Sequence, residues 1–272
     1  MDTADAHGAK QTARRAADRA GDHPALTLLA RGGFIVLGVL HILIGWIAVQ
    51  IATGTTGEEA SNSGALETIA QAPGGQIALW AAVLALVALA LWRLTQLFTG
   101  EDAKEKAKGG VTMVVYLSLA ATTATFAAGG RTSDGETATD VTATVLAQPW
   151  GAALVIAAGL AVIAVGVYNV VRGATKKFRE DLEAGAGTGD VGSAVVAAGM
   201  VGYVARGVAF AVLGGLIVWA GWANDPEEAG GLDAALRTLG QQPAGTVLLI
   251  VVGVGLALYG VYSLARARYV RM

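Results

Sequence analysis

Apolar residues along this chain neither alternate nor recur in a simple helical stripe; they run in six long stretches parted by polar segments. The stretches cover approximately residues 33–53, 75–97, 110–128, 150–171, 199–222 and 245–265. Each is long enough for a helix of about 20 residues to cross a hydrocarbon layer of roughly 30 Å. The spans must be helices, because amides in lipid have to pair within their own segment, and the period-two alternation of a membrane barrel is absent. The predicted fold is all-α, a polytopic membrane protein with six transmembrane helices. Span 1 follows about 30 mostly polar residues and exceeds the 7–15 apolar residues usual in a cleaved signal, so it reads as retained.

The six spans form three tandem two-helix repeats. Gly33-Phe34-Ile35-Val36-Leu37-Gly38 in span 1 lies over Gly202-Tyr203-Val204-Ala205-Arg206-Gly207 in span 5. The outer loops between the two spans of each unit match as well, Ala65-Leu66-Glu67-Thr68-Ile69 over Ala235-Leu236-Arg237-Thr238-Leu239. Pro73, Pro149 and Pro243 precede the even spans, each followed two residues later by Gly75, Gly151 or Gly245 and nineteen residues later by Trp92, Tyr168 or Tyr262. The units are therefore 31–100, 101–185 and 186–272, after a tail of residues 1–30 that is disordered or weakly helical; three such units suit a pseudo-threefold arrangement. The middle unit is the most diverged.

Each landmark has a physical reading. The prolines are expected in the first helical turn of the even spans, where a missing N–H costs nothing. The stretch before each proline is expected to form a short amphipathic surface helix, with Leu66/Ile69 and Leu236/Leu239 on one face. Trp92, Tyr168 and Tyr262, near Arg93, Arg172 and Arg266, read as an interfacial aromatic belt. Glycines seven apart, Gly38/Gly45, Gly159/Gly166, Gly207/Gly214 and Gly253/Gly260, lie on single stripes where small residues let helices pack closely in lipid.

Composition supports the membrane reading. Hydrophobic residues make up 54 % and charged residues 15 %, against about 25 % charged in soluble domains. The net charge of −2 decides little, but its distribution decides orientation. Of 19 Lys and Arg, all but Arg131 and Arg237 fall on the side of the termini, the second-to-third connection and the fourth-to-fifth connection. The positive-inside rule then places both termini in the cytoplasm and the protein in the plasma membrane. No cysteine is present, which excludes disulfides, thiolate chemistry and iron–sulfur clusters.

These features resemble the bacterial membrane family catalogued as domain of unknown function 1206. The resemblance rests on the repeated Gly-aromatic-x-x-x-Gly opening, the Ala-Leu-x-Thr-Leu/Ile-x-x-x-Pro-x-Gly turn and the closing aromatic-plus-basic end, over roughly residues 31–268. It implies a six-helix plasma-membrane protein of three modules and brings no activity or catalytic residues. The family pattern has an aromatic three residues after the second opening glycine, where this chain has His41.

Polar groups within spans are the candidate site. His41 lies roughly 12 Å in from the basic side at 1.5 Å per residue, and its matching residues are Phe210 and Ser118. With no carboxylate in any span, it reads as a neutral imidazole bonded to a neighbouring helix rather than a proton relay. Arg206 reads as interfacial, its stem snorkelling toward the basic side. Gln50, Gln96, Asn169 and the cluster Thr122, Thr123 and Thr125 read as structural. Glu67 and Arg237 occupy matching surface-helix positions with opposite charge, open to a mutual contact, though solvated faces are commoner. No catalytic residues, metal ligands or cofactor are expected: His7 and His23 lie in the tail, and the Gly-rich segment 184–190 follows no strand.

Two functions remain: an accessory, scaffold or lipid-interacting protein without catalysis, or a small-solute or ion channel or transporter along the pseudo-threefold axis. Expected partners are membrane lipids and another membrane protein or a second copy, with no nucleic acid. The native absence of cysteine makes orientation directly measurable. Asp140→Cys should react with an impermeant maleimide added to intact cells and Glu105→Cys only after permeabilisation; equal labelling would overturn the topology.

Overall fold

A computed structural model describes residues 24–55, 57–99, 103–181 and 189–269. The tail with Lys10, Arg14, Arg15 and Arg19, the histidines at 7 and 23, most of the Gly-rich segment and Arg271 lie outside the described residues, as does the side chain of Gln96. Nine α-helices occur among the described residues: α1 Pro24–Thr53, α2 Asn62–Gln71, α3 Gly75–Thr99, α4 Ala103–Ala127, α5 Asp134–Leu146, α6 Gly151–Ala174, α7 Gly189–Ala223, α8 Gly231–Gly240 and α9 Gly245–Tyr269. The long helices α1, α3, α4, α6, α7 and α9 are each long and apolar enough to span a membrane. The helices α1 and α7 begin about ten residues before the apolar stretch, because hydropathy marks only the part of a helix that lies in lipid.

Helices in lipid gain nothing from hydrophobic burial against one another, so close van der Waals packing must hold them. The tightest pairs join consecutive units: α3 with α4, α6 with α7, and α9 back against α1, which closes the three units into a ring. Glycines set two of these seams. A Cβ at Gly159 would lie 2.8 Å from the Gly214 carbonyl oxygen, and one at Gly214 2.7 Å from that of Gly159. Gly166 and Gly207 repeat this reciprocal approach at 2.8 and 2.6 Å. Between α1 and α9, Gly38 faces Gly260 and Gly45 faces Gly253 in the same antiparallel register.

The α3–α4 seam has no such pairs. Val115 and Thr122 stand where the first unit has Gly38 and Gly45, and side chains of that size cannot line a backbone-to-backbone seam. The buried stripe of α4 is instead Tyr116, Ala120, Thr123 and Ala127, with Tyr116 packed among Phe34, Leu89, Ala90 and Trp92.

The short helices α2, α5 and α8 roof one face of the ring. Leu66 and Leu236 are fully buried in the main core with Ile44, Ile47, Leu249 and Phe126, so α2 and α8 plug the bundle rather than rest on lipid. The roof is knitted across units. Asp134 accepts a hydrogen bond from the Ser63 hydroxyl at 2.7 Å and from the Asn62 amide at 3.0 Å, supplying a negative charge to the start of α2. Asp233 accepts from the Ala60 amide at 2.8 Å, and Gly135 lies against Gly231. Glu67 and Arg237 do not meet: Glu67 pairs with Arg131 at 2.8 Å and Arg237 with Asp233 at 2.6 Å, each the nearer opposite charge.

The prolines differ from expectation. Each is the second residue of a β-turn between a roof helix and an even span, closed by the amide of Gly75 on Ala72, Gly151 on Gln148 and Gly245 on Gln242. Proline's fixed φ suits that position. The following residue is left-handed at Gly74 (φ +76°) and at Ala244 (φ +61°), whereas Trp150 takes the type I form. The glycine two residues after proline is needed because a Cβ there would strike the carbonyl oxygen of Ile69, Val145 or Gly240 at the end of the roof helix.

A bulky residue on a seam should therefore cost far more than one beside it. Gly214→Val should lower stability in detergent by about 3 kcal/mol or more, through overpacking against the α6 backbone. Gly215→Ala, with open space around it, should be neutral or stabilising by up to about 1 kcal/mol. Thermal unfolding followed by circular dichroism distinguishes the two; similar losses would refute the seam.

Candidate functional site

The two ionisable candidates come together at the junction of α1, α7 and α9. His41 on α1 donates from Nδ1 to the Leu37 carbonyl at 2.8 Å, one turn back on its own helix. Its expected bond to a neighbouring helix is replaced by a ring contact: the imidazole centroid lies 4.8 Å from that of Tyr259 on α9. Arg206 on α7 donates to the Tyr259 hydroxyl, with its guanidinium 4.8 Å from the Tyr259 ring and 5.0 Å from that of Phe210. Its Nε is buried. Arg206 thus turns inward instead of snorkelling to the basic side, because two aromatic faces and a phenol oxygen stabilise the cation locally.

Tyr259 is the residue that sequence reasoning missed. It matches Leu89 in the first unit and Val165 in the second, so the repeat pattern marks it only as an apolar position. Its ring continues into a cluster with Tyr203, Tyr262 and Phe178, whose centroids are 5.2–6.2 Å apart. Tyr262, expected in an interfacial belt, is fully buried in this cluster and donates to the Phe178 carbonyl at 3.3 Å. Phe178 comes from the short turn Lys177–Asp181 after α6, which folds over the basic end of the bundle. Arg266 stacks on Phe34 at 4.7 Å instead, and Trp92 is buried beside Arg93. Tyr168 alone of the three landmarks is exposed, with Arg172 donating to its hydroxyl at 3.3 Å.

Other polar side chains in the spans bond to their own helices. Asn169 donates to Val165, Thr123 to Leu119 and Thr125 to Ala121. Each donor is satisfied without a partner helix, at the cost of a slight local bend. No group of three or more His, Asp or Glu placed to hold a metal occurs among the described residues. The site has one fixed cation and one imidazole held against rings, and no carboxylate among the described residues bonds to either.

The sequence model of one family matches three successive segments, residues 32–100, 109–176 and 201–270. The chain belongs to the family described as Domain of Unknown Function (DUF1206). The matched segments correspond to α1–α3, α4–α6 and α7–α9, each two spans with the roof helix between them. An uncharacterized protein of Bacillus subtilis (strain 168), YxxB, is 27 % identical over 258 residues, covering 92 % of this chain and 93 % of that protein. No solved structure matches the chain. This DUF1206 chain is a multi-pass membrane protein, and the His41–Tyr259–Arg206 contact joins its first and third repeats.

The phenol oxygen should therefore matter to stability. Tyr259→Phe keeps the ring but strips the acceptor from Arg206, and should destabilise the protein by about 1–3 kcal/mol. Arg206→Met removes the charge together with its need for a partner and should cost less. Unfolding in mild detergent compares them; a Tyr259→Phe protein as stable as wild type would show that the hydroxyl carries none of the guanidinium's stabilisation.

Proposed function

We propose that this protein is an accessory or scaffold protein of the bacterial plasma membrane, working through lipid or protein contacts rather than catalysis, with both termini cytoplasmic. The observation that carries the reading is the filled centre of the ring. Leu40, Ile44 and Ile47 from the first unit, Phe126 from the second, and Ala209, Leu236, Val252 and Leu256 from the third pack into one apolar core. A water or ion pathway along the pseudo-threefold axis would need polar groups or an open lumen at that level. Instead Leu66 and Leu236 close the roofed end, and the Tyr203–Tyr262–Phe178 cluster covers part of the basic end.

The polar groups are distributed to match. The roof ties use Asp134, Asp233, Glu59 and Ser133 to link units, with Ser133 donating to Glu59 at 2.7 Å. The half-buried cation at Arg206 is occupied with aromatic rings. Support for the location comes from the distribution of Lys and Arg, which gather on the face opposite the roof. Lipid, a second copy or another membrane protein are the partners this arrangement suits.

Reconstitution tests the reading. Proteoliposomes carrying the wild-type protein should show the same leak of ions and small polar solutes as empty vesicles, and His41→Ala should not change it. A flux above the empty-vesicle rate that falls with His41→Ala would replace the accessory reading with a transport one.

A further inference from the structure

The ring is closed everywhere except inside the second unit. In the first and third units the two spans of a hairpin touch: Gly33 packs on Ala85 and Leu89, and Gly202 on Tyr259. In the second, α4 and α6 make no substantial contact. Val165, which matches Leu89 and Tyr259, is 46 % exposed. A groove of about 820 Å³ opens there, walled by Val115, Ser118 and Thr122 of α4, Leu154 and Ala158 of α6, and backed by Ile217 of α7. That size suits a small apolar ligand.

The opening has a residue-level cause. Seven residues before each proline, the first and third units place Leu66 and Leu236, which plug the core; the second places Thr142. Ser118 likewise stands where the third unit has Phe210. The side chains that fill this volume in the other units are absent, and α5 spans the gap as a lintel, with Val141, Thr142 and Val145 lining the groove from above.

We propose that this groove holds the acyl chain of one membrane lipid, drawn from the leaflet on the roofed side and carrying a zwitterionic or uncharged head. The inference rests on the lipid-interacting reading above and names its site. Three features select the occupant. The groove lies at hydrocarbon depth: its wall on α4 begins at Thr122, about 8 Å below the roofed end at Ala127, and runs about 12 Å further to Val114, so it reaches just past the roughly 15 Å of one leaflet. The lintel α5 blocks a partner helix from running through it, whereas a chain can slide in sideways. At the lip stand Asn62, Asp134 and Thr137, with no Lys or Arg among the described residues of the lining, so the lip offers hydrogen bonds and one negative charge and repels an anionic head.

The test uses full-length protein in vesicles doped with a phosphatidylethanolamine bearing a mid-chain diazirine. After illumination, cross-links mapped by peptide mass spectrometry should concentrate on residues 114–122, 141–145 and 154–158, several-fold above the lipid-facing Val251 region of α9. Phosphatidylglycerol with the same chain should label the groove at least twofold less. Ser118→Phe with Thr142→Leu, which restores the residues of the third unit, should cut groove labelling at least fivefold and leave labelling near Val251 unchanged. Uniform labelling around the bundle overturns the site, as does a protein–protein cross-link in its place; the wild-type map stands even should the double variant misfold. Solute leak from the same vesicles is read in parallel. Flux with groove labelling intact would sink only the non-transport reading, and uniform labelling without flux would sink only the groove.

Discussion

The whole arrangement depends on backbone-to-backbone contact at glycine, because lipid offers helices no hydrophobic reason to associate. Where Gly159 meets Gly214 and Gly166 meets Gly207, α6 and α7 come within the distance that a single methyl group would fill. Dispersion between two such close helices, summed over many atom pairs, replaces the burial that holds a soluble core. The same register between α1 and α9 closes the ring. A hairpin repeat with only intra-hairpin contacts would give three loosely tethered pairs; glycine seams between hairpins make one body. The seam also explains the topology of contact, since the helix that ends one unit is the natural antiparallel neighbour of the helix that begins the next.

Most of the architecture was legible because it is written locally. Span positions follow from apolar length, and the units from the spacing Pro-x-Gly and the aromatic nineteen residues on. What could not be read were choices made between distant segments. The prolines belong to β-turns rather than to helix starts, since Gly75 must lie against the Ile69 carbonyl, a contact invisible until the roof helix is placed. Tyr262 reads as an interfacial ring by position, yet the turn carrying Phe178 folds over it from 84 residues away. Glu67 and Arg237 match by repeat, but each has a nearer counter-charge, in Arg131 and in Asp233 one helical turn away. His41 and Arg206 were each recognisable as unusual; that Tyr259 would join them was not.

Divergence among the repeats is where the molecule acquires its asymmetry. The first and third units keep Leu66 and Leu236 as plugs and glycine pairs on their odd spans where these meet the neighbouring unit. The second carries Val115, Thr122 and Thr142 at the corresponding places. Each change is small: two put larger side chains at positions where the other odd spans meet a neighbouring unit, and one withdraws an apolar plug. An accidental loss of packing would leave an empty apolar void, which costs stability in proportion to its size. A groove open to lipid escapes that cost, because the bilayer itself fills it. The second unit can therefore remain splayed while the other two clamp the ring.

The same asymmetry bears on the half-buried charge within the spans. Arg206 has Leu37 and Val114 as its repeat counterparts, so a cation at this depth belongs to the third unit alone. A guanidinium in a span ordinarily pairs with a carboxylate or lines a water-filled cavity. This one does neither among the described residues; it spreads its charge over Tyr259 and Phe210 and donates to a phenol. A ring holds a cation only over its face, and His41 lies against one of these rings from α1. The third unit is thereby fixed to the first through a contact whose geometry is directional, where glycine seams are only close. Directional contacts therefore stand where the first and third units meet, on the closed side of the ring, opposite the second hairpin, whose two spans make no substantial contact.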